Sequence, residues 1–410
     1  MTEAVRIDAE RVIADLRELA RRTSDEAGSQ RVAWTETWLE ARRFLGELLD
    51  EIGASSETDE AGNVWARLDG GEGSSAVAVG SHIDSVPDGG WLDGALGLMA
   101  AVGVLRAYAN DPSPRKPLAL VDWADEEGSR FGLSLFGSSA FAGELDPAAA
   151  ADLTDAGGRT MREVLSECGV DIDRAHESSS RREGLDSYLA LHIEQGPVME
   201  AEGVTIAAVE GCQGIERRRF TFTGQAAHAG TTPMAMRRDA GLAAAECALR
   251  IADLPGGHGG VATTGELRLE PGISTAVAGT AALSCDLRNP DADALAAMLS
   301  GARGAATRCA EDHGCEVAED LIFRISPTTF DPGLVSAAAE VCEATTGNAF
   351  RITSGALHDA ASVSRVMPAA MMFCPSRGGI SHAKVEDTAE DDLRTAIEAF
   401  GDLVARVLAT

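Results

Sequence analysis

Residues 76–108, AVAVGSHIDSVPDGGWLDGALGLMAAVGVLRAY, indicate how the first half of the chain folds. The run Ala76 to Gly80 is apolar and valine-rich, and Leu96 to Tyr108 has the length and apolar content of a buried helix. A further apolar run, Pro117 to Trp123, follows. Short valine- and leucine-rich runs that alternate with helical stretches are typical of parallel strands joined by helices. The stretch therefore predicts an α/β layer on a mostly parallel sheet.

Outside this stretch the spacing of apolar residues predicts helices, and later in the chain it changes to the alternation of strands. Asp8 to Arg22 and Glu36 to Ile52 space their apolar residues with a helical period, so both are predicted to be packing helices. After the apolar run Tyr188 to Ile193, apolar and polar residues alternate with the period of two that is typical of half-buried strands. The alternating runs and the helical stretches between them are Arg217 to Thr223, Ala240 to Asp253, Leu267 to Glu270, Ala281 to Leu287 and Ala292 to Asp312.

This order of strands and helices predicts a compact α+β unit inside the chain. From Leu334 the sequence is again alanine-rich with a helical pattern, so the end of the chain is expected to continue the first unit. A chain of 410 residues also exceeds the size at which a single core keeps growing. We predict a domain made of residues 1–211 and 326–410, interrupted by an inserted domain over residues 212–325.

Composition limits the possible partners and the compartment. The formal charge of −30 would repel phosphate backbones and anionic lipid, so nucleic acid and membrane are not expected partners. The stretch Met1 to Glu10 lacks the basic start and apolar run of a secretion signal, and no segment reaches about 18 consecutive apolar residues. We therefore expect a cytoplasmic protein. Its eight cysteines form no C-x-x-C pair and are predicted to be reduced core residues.

Residues that suit a metal site follow the first valine-rich run. His82 and Asp84 are two apart, and residues two apart in a strand point to the same side. A metal-bound imidazole commonly donates its other N–H to a carboxylate, so Asp84 is expected to hold the ring of His82. Asp93 lies in a glycine-flanked turn before the helix, where a lone carboxylate is more often a turn or cap residue.

Later apolar runs carry further candidates. Glu126 and Glu127 follow one such run, where adjacent side chains can diverge, one to a metal and one to its bound water. His192 lies within the next run, and His382 follows a short run far down the chain. Taken singly, an acidic pair on a loop and a lone histidine in a buried strand both have ordinary structural explanations.

The set as a whole indicates a metal centre. Its ligand atoms are nitrogen and oxygen without thiolate, which suits zinc, manganese, cobalt or nickel. Two metals about 3.5 to 4 Å apart can share one carboxylate and one water, while a nearby base removes the proton of that water. Five ligands and one base match this need. No Gly-x-Ser-x-Gly motif supports a serine triad, and the cluster Gly256 to Gly260 predicts only a flexible loop.

Eight segments together resemble the amidase/hydantoinase/carbamoylase branch of the two-metal exopeptidase superfamily. They are GSHIDSV, GGWLDGALG, DEEGSRF, GSSAFAG, LHIEQG, GQAAHAGTTPM, CDLR and GISH, and they span nearly the whole chain. The branch includes N-carbamoyl-L-amino acid hydrolases, allantoate amidohydrolases, ureidoglycolate amidohydrolases and β-ureidopropionases. The resemblance implies an α/β, exopeptidase-like catalytic domain with two divalent metal ions, interrupted by a smaller α+β dimerisation domain, and therefore a homodimer.

The resemblance also implies a role for each candidate. The metal ligands would be His82, Asp93, Glu127, His192 and His382, with Asp93 as the bridge. Glu126 would be the general base that activates the bridging water, and Asp84 is predicted to be a catalytic residue as well. In similar enzymes the histidine that matches His228 reaches an active site, often that of the partner subunit, where it can stabilise an oxyanion.

Further residues match family positions that meet the substrate. Arg288 matches an arginine that grips a carboxylate with its two-pronged guanidinium, and the other matches are Gln195, Thr275, Gly355, Leu357 and His358. Thr275 stands where the family usually has asparagine, and a hydroxyl does not supply both amide functions. Leu357 replaces a glycine and adds bulk beside the carboxylate position. Both departures concern the substrate pocket and neither touches the metal centre.

These residues predict hydrolysis of a linear amide that carries a carboxylate, with an N-carbamoyl amino acid or ureido acid as the leading substrate class. An N-acyl amino acid amidohydrolase or a dipeptidase of the same plan is the nearest alternative. A metal-binding scaffold without catalysis is a remote one, because the ligands and the base are intact.

Overall fold

The computed structural model of the chain describes residues 6–69, 75–109 and 116–409. The first five residues of Met1 to Glu10, where no secretion signal is expected, lie outside this part. The α-helices in the described part are α1 (Ala9–Thr23), α2 (Glu36–Ile52), α3 (Ala95–Ala109), α4 (Phe136–Ala142), α5 (Pro147–Ala151), α6 (Met161–Glu167), α7 (Val198–Glu202), α8 (Ala240–Ala252), α9 (Pro255–His258), α10 (Ala292–Asp312), α11 (Pro332–Thr346), α12 (Asp359–Val363) and α13 (Glu390–Leu408).

The strands follow in the same chain order. They are β1 (Ser56–Thr58), β2 (Val64–Leu68), β3 (Ala76–His82), β4 (Leu118–Trp123), β5 (Leu185–Ile193), β6 (Ala207–Cys212), β7 (Gly214–Thr223), β8 (Ala227–His228), β9 (Val261–Thr263), β10 (Leu267–Glu270), β11 (Ala276–Val277), β12 (Thr280–Asn289), β13 (Glu316–Ile325), β14 (Thr328–Thr329), β15 (Arg351–Ser354) and β16 (Ala369–Cys374). Short 3-10 helices cover Ile172–Arg182, Met234–Met236 and Arg377–Gly379.

The chain divides into two compact units. The first unit is Met1–Gly211 with Thr329–Thr410, and the second is Cys212–Thr328. The second unit includes residues 212–325, for which we predict the inserted domain. No helix in the described part of the chain combines the length and the apolar character needed to cross a bilayer.

The first unit is built on a nine-stranded sheet. Its order is β1-β2-β4-β3-β5-β16-β6-β14, and β15 pairs with β6. The centre matches the predicted parallel layer, since β4, β3, β5 and β16 are parallel neighbours. The sheet as a whole is mixed, because β2 joins β4 and β6 joins β16 in antiparallel fashion. β3, β4 and β16 are buried along their whole length, as strands covered on both faces should be.

The helix α3 covers the centre of this sheet. Residues 95–105 are all buried, so this helix is apolar all round rather than amphipathic. Gly97 allows α3 to pack closely against β5, because a Cβ at this position would lie 2.2 Å from the carbonyl oxygen of Leu191. The tight packing fixes the start of the helix, and with it the preceding turn that holds Asp93.

The second unit is an antiparallel sheet with helices on one face. The sheet order is β10-β12-β7-β13, with β9 also paired to β12, and a separate ribbon joins β8 to β11. Alternate residues of β7 and β12, among them Phe220 and Leu283, pack with α8 and α10 in one core. The predicted flexible loop at Gly256–Gly260 differs in the structure, since Pro255–His258 forms the one-turn helix α9. All eight cysteines of the chain are free thiols and six of them are buried.

Candidate metal centre

The parallel strands bring candidate residues to one edge of the large sheet. His82 is the last residue of β3, and His192 is the last but one of β5. Glu126 follows the end of β4, and His382 follows the end of β16. Since parallel strands end at the same edge, four distant segments meet there, and this carboxyl edge is where α/β sheets bind ligands.

Asp93 lies at the middle of the cluster and faces a different histidine with each carboxylate oxygen. Its Oδ1 lies 3.3 Å from His192 Nε2 and 3.8 Å from His82 Nε2. Its Oδ2 lies 3.2 Å from His382 Nε2, which in turn is 3.5 Å from Glu127 Oε2. The ligand atoms form two groups, and within each group all atoms lie within 4.8 Å of one another. One group is His82, Asp93 and His192, and the other is Asp93, Glu127 and His382. Asp93 is common to both groups.

The turn that carries Asp93 depends on a glycine. Gly94 has a φ of +64°, in the left-handed region that glycine adopts without strain. A Cβ at this position would also lie 2.3 Å from the His82 ring. The glycine thus lets the backbone pass close beside one histidine, and the Gly94 N–H points at the Nε2 of the other, His192, at 3.2 Å.

Backbone carbonyls orient the two buried histidines. His192 Nδ1 lies 2.9 Å from the carbonyl oxygen of Ile193, and His82 Nδ1 lies 3.1 Å from that of Asp84. Each Nδ1 must carry the proton to donate to a carbonyl, so each Nε2 is left as a lone-pair donor facing Asp93. This is the tautomer that a metal ligand needs.

The carboxylate of Asp84 lies beside the His82 ring and also accepts hydrogen bonds from the loop that follows β4. It lies 3.6 Å from His82 Nδ1, farther than the carbonyl oxygen of the same residue. Its two oxygens accept the backbone N–H groups of Glu126 and Glu127 at 3.2 and 3.1 Å. Asp125, which directly precedes Glu126, has a φ of +55°, which non-glycine residues seldom adopt. Asp84 therefore holds a strained loop that directs Glu126 and Glu127 apart.

Charge is concentrated in this cluster. Burial raises the pKa of the Glu127 carboxyl to about 8 and raises that of Glu126 well above its usual range. The hydrogen bond to Asp93 raises the pKa of His382 to about 9. Burial opposes the ionisation of Asp93, but its contacts with the imidazoles of His192 and His382 outweigh burial and hold the Asp93 pKa well below its usual range. The cluster thus has a strong tendency to take up positive charge.

Gln195 and His382 complete the cluster from irregular segments. Gln195 Nε2 donates to Asp93 Oδ2 at 2.8 Å, so this predicted substrate contact lies directly beside the metal ligands. Both residues have positive φ, +60° for Gln195 and +55° for His382. The side chain of His382 is 50% exposed, whereas those of the other four predicted ligands are at most 7% exposed.

The segment of His358 lies beside the cluster. The His358 ring is buried, with its centroid 4.5 Å from that of His192. Its Nε2 lies 3.1 Å from Ser354 Oγ. Burial, and then repulsion from His192, hold the pKa of His358 well below its usual range. Gly355 is exposed and Leu357 is half-buried.

Sequence reasoning missed three polar residues that support the centre. Arg31 is completely buried, and its Nε donates to the Ile83 carbonyl at 2.8 Å, between His82 and Asp84. Ser381 Oγ and Glu386 contact each other at 2.7 Å next to Asp93. Arg31 lies in a loop that carries no motif. Ser381 lies inside the GISH segment. Its position next to His382 was therefore the one feature of the sequence that could have indicated its role.

The second unit holds the other three predicted residues. His228 is exposed, and its Nδ1 accepts the backbone N–H groups of Gly230 and Thr231 at 3.0 and 3.2 Å. The neutral ring must then carry its proton on Nε2. Thr275 is exposed beside it, since the Ala229 N–H donates to the Thr275 carbonyl at 2.9 Å.

Arg288 lies elsewhere in this unit. Its side chain is half-buried, and its Nε donates to Asp286 Oδ1 at 2.9 Å. Arg217 donates to the other oxygen of the same carboxylate at 2.7 Å. Asp286 therefore holds two guanidinium groups on one face of the sheet.

Known proteins resemble the chain over nearly its whole length. Residues 78–406 match the model of peptidase family M20/M25/M40. An N-carbamoyl-L-amino-acid amidohydrolase from Paenarthrobacter aurescens is 32% identical over 95% of this chain and 96% of its own. An allantoate amidohydrolase from Bacillus subtilis is 31% identical over 94% of each chain. The crystal structure of an amidase of the hydantoinase/carbamoylase family from Burkholderia multivorans superimposes with a TM-score of 0.88, at 33% identity over 98% of both chains.

Proposed function

Because the chain belongs to peptidase family M20/M25/M40, we propose that it hydrolyses a linear C–N amide, with an N-carbamoyl amino acid or a ureido acid as substrate. The observation that carries this proposal is the position of Asp93 between two histidine-containing groups, with Glu126 beside them. Relatives named for N-carbamoyl amino acids and for allantoate are about equally similar to the chain. The proposal therefore names the class that these substrates share.

The side chains suit two divalent cations. Imidazole nitrogen and carboxylate oxygen are donors for zinc, manganese, cobalt or nickel. Glu127 Oε1 is buried and has no hydrogen-bond partner in the part of the chain that the structure describes, as a ligand atom set aside for a cation would be. Asp93 would bridge the two cations, with His82 and His192 on one side and Glu127 and His382 on the other. Such cations would polarise the substrate carbonyl and lower the pKa of a water at the centre.

Glu126 is assigned the proton transfer. It belongs to neither ligand group, although its Oε2 lies 3.8 Å from His82 Nε2. Its burial favours the carboxylic acid once a proton has been taken up, so it would accept a proton from water and pass it to the leaving nitrogen. Cleavage of the carbamoyl C–N bond then releases an amino acid, ammonia and carbon dioxide.

Two residues of the second unit would act on the substrate. His228 presents Nε2–H as a neutral donor, because two backbone N–H groups occupy its Nδ1. Such a donor suits the oxyanion that forms when water adds to the carbonyl. Arg288 is held by Asp286 and would bind the substrate carboxylate.

These two residues are too far apart to serve one substrate from the same copy. Arg288 pairs with Ile215 at one end of β12, whereas Thr280 pairs with Thr223 at the other end. Arg288 lies eight residue steps along the strand from Thr280, which is about 26 Å. The β8–β11 ribbon that carries His228 begins beyond Thr280. The position of helix α8 supports the same separation. The helix starts next to the ribbon, and the chain that follows it leads to β9, which pairs with β12 at Arg288.

The separation supports a homodimer in which each active site takes His228 from one copy and Arg288 from the other. Mixing the inactive variants His228→Ala and Arg288→Ala should then restore activity, because each mixed dimer has one site with both residues. Statistical exchange predicts recovery of about a quarter of the wild-type rate. Absence of recovery, with mixed dimers demonstrated by differential tags, would contradict this arrangement.

The substrate class is tested by a hydrolysis screen. Metal-loaded protein is incubated with N-carbamoyl amino acids, allantoate, ureidoglycolate and N-acyl amino acids, and ammonia and free amine are measured separately. Ammonia from the ureido compounds supports the proposal, and chelator-treated protein is the control. Amine release from acyl compounds alone would favour the second candidate, an acyl amino acid amidohydrolase or dipeptidase. The departures from the family pattern at Thr275 and Leu357 support this second candidate. A cytoplasmic location stays a prediction.

A further inference from the structure

Glu386 connects two segments that hold predicted ligands. It is 2% exposed and lies four residues after His382. Its Oε1 accepts the backbone N–H groups of Leu92 and Asp93 at 3.1 and 3.0 Å. Its Oε2 accepts the hydroxyl of Ser381 at 2.7 Å. One carboxylate thus ties the residue before His382 to the backbone of Asp93, although 293 positions separate Asp93 from Glu386.

The turn before Asp93 is shaped around this carboxylate. A Cβ on Gly90 would lie 2.0 Å from Glu386 Oε1 and 2.5 Å from its Cβ, which no side chain tolerates. The glycine leaves the space that Glu386 fills. Close packing on this side and two N–H bonds on the other fix the carboxylate in place.

The hydrogen bonds around Ser381 can be oriented. Its oxygen lies 2.7 Å from Glu386 Oε2 and 3.2 Å from Asp93 Oδ2, and its single proton serves the shorter contact. Gln195 Nε2 has two protons, one for Asp93 Oδ2 at 2.8 Å and one for Ser381 Oγ at 3.3 Å. The chain of donors therefore runs from Gln195 through Ser381 to Glu386.

His382 is the predicted ligand that most needs such support. His82 and His192 lie in strands, and Asp93 lies directly before α3. His382 lies in an irregular segment with positive φ and a half-exposed side chain. Its ring contacts Asp93 and Glu127, and the network through Ser381 ties its backbone segment to the buried part of the centre.

We propose that Glu386 is a positioning residue that fixes the distance between Asp93 and His382, and so secures the cation that these two residues share with Glu127. The inference rests on the proposed function, because it requires that function's metal centre. It predicts that loss of Glu386 weakens one of the two cation sites and largely spares the one formed by His82, Asp93 and His192.

The test measures metal binding rather than turnover. Full-length protein is stripped with a chelator and titrated with Zn²⁺ or Mn²⁺ by calorimetry, with stoichiometry checked by elemental analysis. Wild type should bind two equivalents. Glu386→Ala should bind the second equivalent 10- to 100-fold more weakly, as is typical when a residue behind a ligand is removed. Ser381→Ala removes the link from Glu386 to the His382 segment but keeps the Glu386 bonds to the Leu92 and Asp93 backbone. It should weaken the same equivalent and keeps the test valid if Glu386→Ala does not fold.

Asp59 supplies a matched control. It is buried, its Oδ1 accepts two backbone N–H groups, from Ala61 and Asn63, and its Oδ2 accepts the hydroxyl of Ser178. Asp59 thus makes the same two backbone contacts and one hydroxyl contact as Glu386, with further N–H donors from the side chains of Asn63 and Trp65, and none of these contacts is to a predicted ligand. Asp59→Ala should lower thermal stability and leave both equivalents tight.

Three outcomes would overturn the inference. Wild-type affinity for both equivalents in Glu386→Ala and Ser381→Ala would show that the network does not position a ligand. Equal weakening of both equivalents would remove its assignment to the His382 site. A wild-type protein that binds no divalent cation would remove the proposed centre itself, which distinguishes failure of the proposed function from failure of this inference.

Discussion

In the unit formed by Met1–Gly211 and Thr329–Thr410, most of the candidate residues are buried and lie against one another, whereas in Cys212–Thr328 they are exposed or half-buried and lie at two ends of a sheet. Asp93 alone contacts three histidines and a glutamine. His228 lies in the ribbon near one end of β12, and Arg288 lies near the other end of that strand. The first unit thus holds a preorganised cluster, whereas the second carries separate groups.

This contrast predicts different consequences for mutations in the two units. Changes in the first unit should act on proton transfer or on metal affinity within each copy. Changes in the second unit should act on turnover and substrate binding, leave metal content unchanged, and be complemented between copies.

The largest effect is expected for Glu126→Gln. The amide keeps the volume of the side chain but cannot take a proton from water, so kcat should fall by about 10²- to 10⁴-fold. Metal stoichiometry should stay at the wild-type value, because Glu126 belongs to neither ligand group. Steady-state kinetics with elemental analysis of the same preparation checks both statements. Turnover near the wild-type rate would rule out Glu126 as the base.

His228→Ala should reduce kcat by about 10²- to 10³-fold, as the loss of one oxyanion donor does elsewhere. KM should change much less, because the donor acts on charge that develops after binding. His228→Gln is the matched variant, since its amide N–H can replace part of the donor function and should recover part of the rate. A rise in KM with unchanged kcat would instead make His228 a binding residue.

Asp84→Asn should act on the metal rather than on the substrate. One carboxylate oxygen becomes an N–H₂ group, which cannot accept from Glu126 or Glu127, so the loop loses one of its two anchors. Metal affinity should fall about 10- to 100-fold, measured by competition with a chelating dye. The control is Asp59→Asn, which changes a buried carboxylate that also accepts two backbone N–H groups, both at Oδ1, from residues that are not predicted ligands. Equal losses in both variants would indicate general destabilisation.

The fold was largely predictable where periodicity is strong. Glu36–Ile52 and Ala292–Asp312 form helices with the bounds that their apolar spacing predicts, and the resemblance to the carbamoylase branch is confirmed by the relatives. The antiparallel strands at the edges of the large sheet were missed, because β1 and β6 are too short or too irregular to show a period of their own. Turns that depend on one glycine, such as Gly94, are visible as composition but not as geometry.

The residues that cluster at the candidate metal centre were predictable by type, because histidines and acids that follow strand-like runs are few. Its supporting residues were not. Glu386 and Arg31 act through backbone groups, and a contact to a backbone N–H or C=O leaves no pattern in the sequence. For the same reason sequence spacing placed the carboxylate of Asp84 beside His82 but gave no sign of its hydrogen bonds to the Glu126–Glu127 backbone.

The smallest expected effects concern the substrate pocket. Thr275→Asn supplies an amide in place of a hydroxyl, and Leu357→Gly removes bulk next to His358. Each should change the ratio of kcat/KM between ureido and acyl substrates by about 10-fold or less, since one added hydrogen bond contributes about 1 kcal/mol. Neither should alter metal content or Glu126-dependent proton transfer, because neither residue contacts the ligands in the described part of the chain. Competition assays with paired substrates measure the ratio directly. If the double variant keeps the wild-type ratio, substrate preference is set elsewhere, and Arg288 with its Asp286 and Arg217 neighbours is the next group to vary.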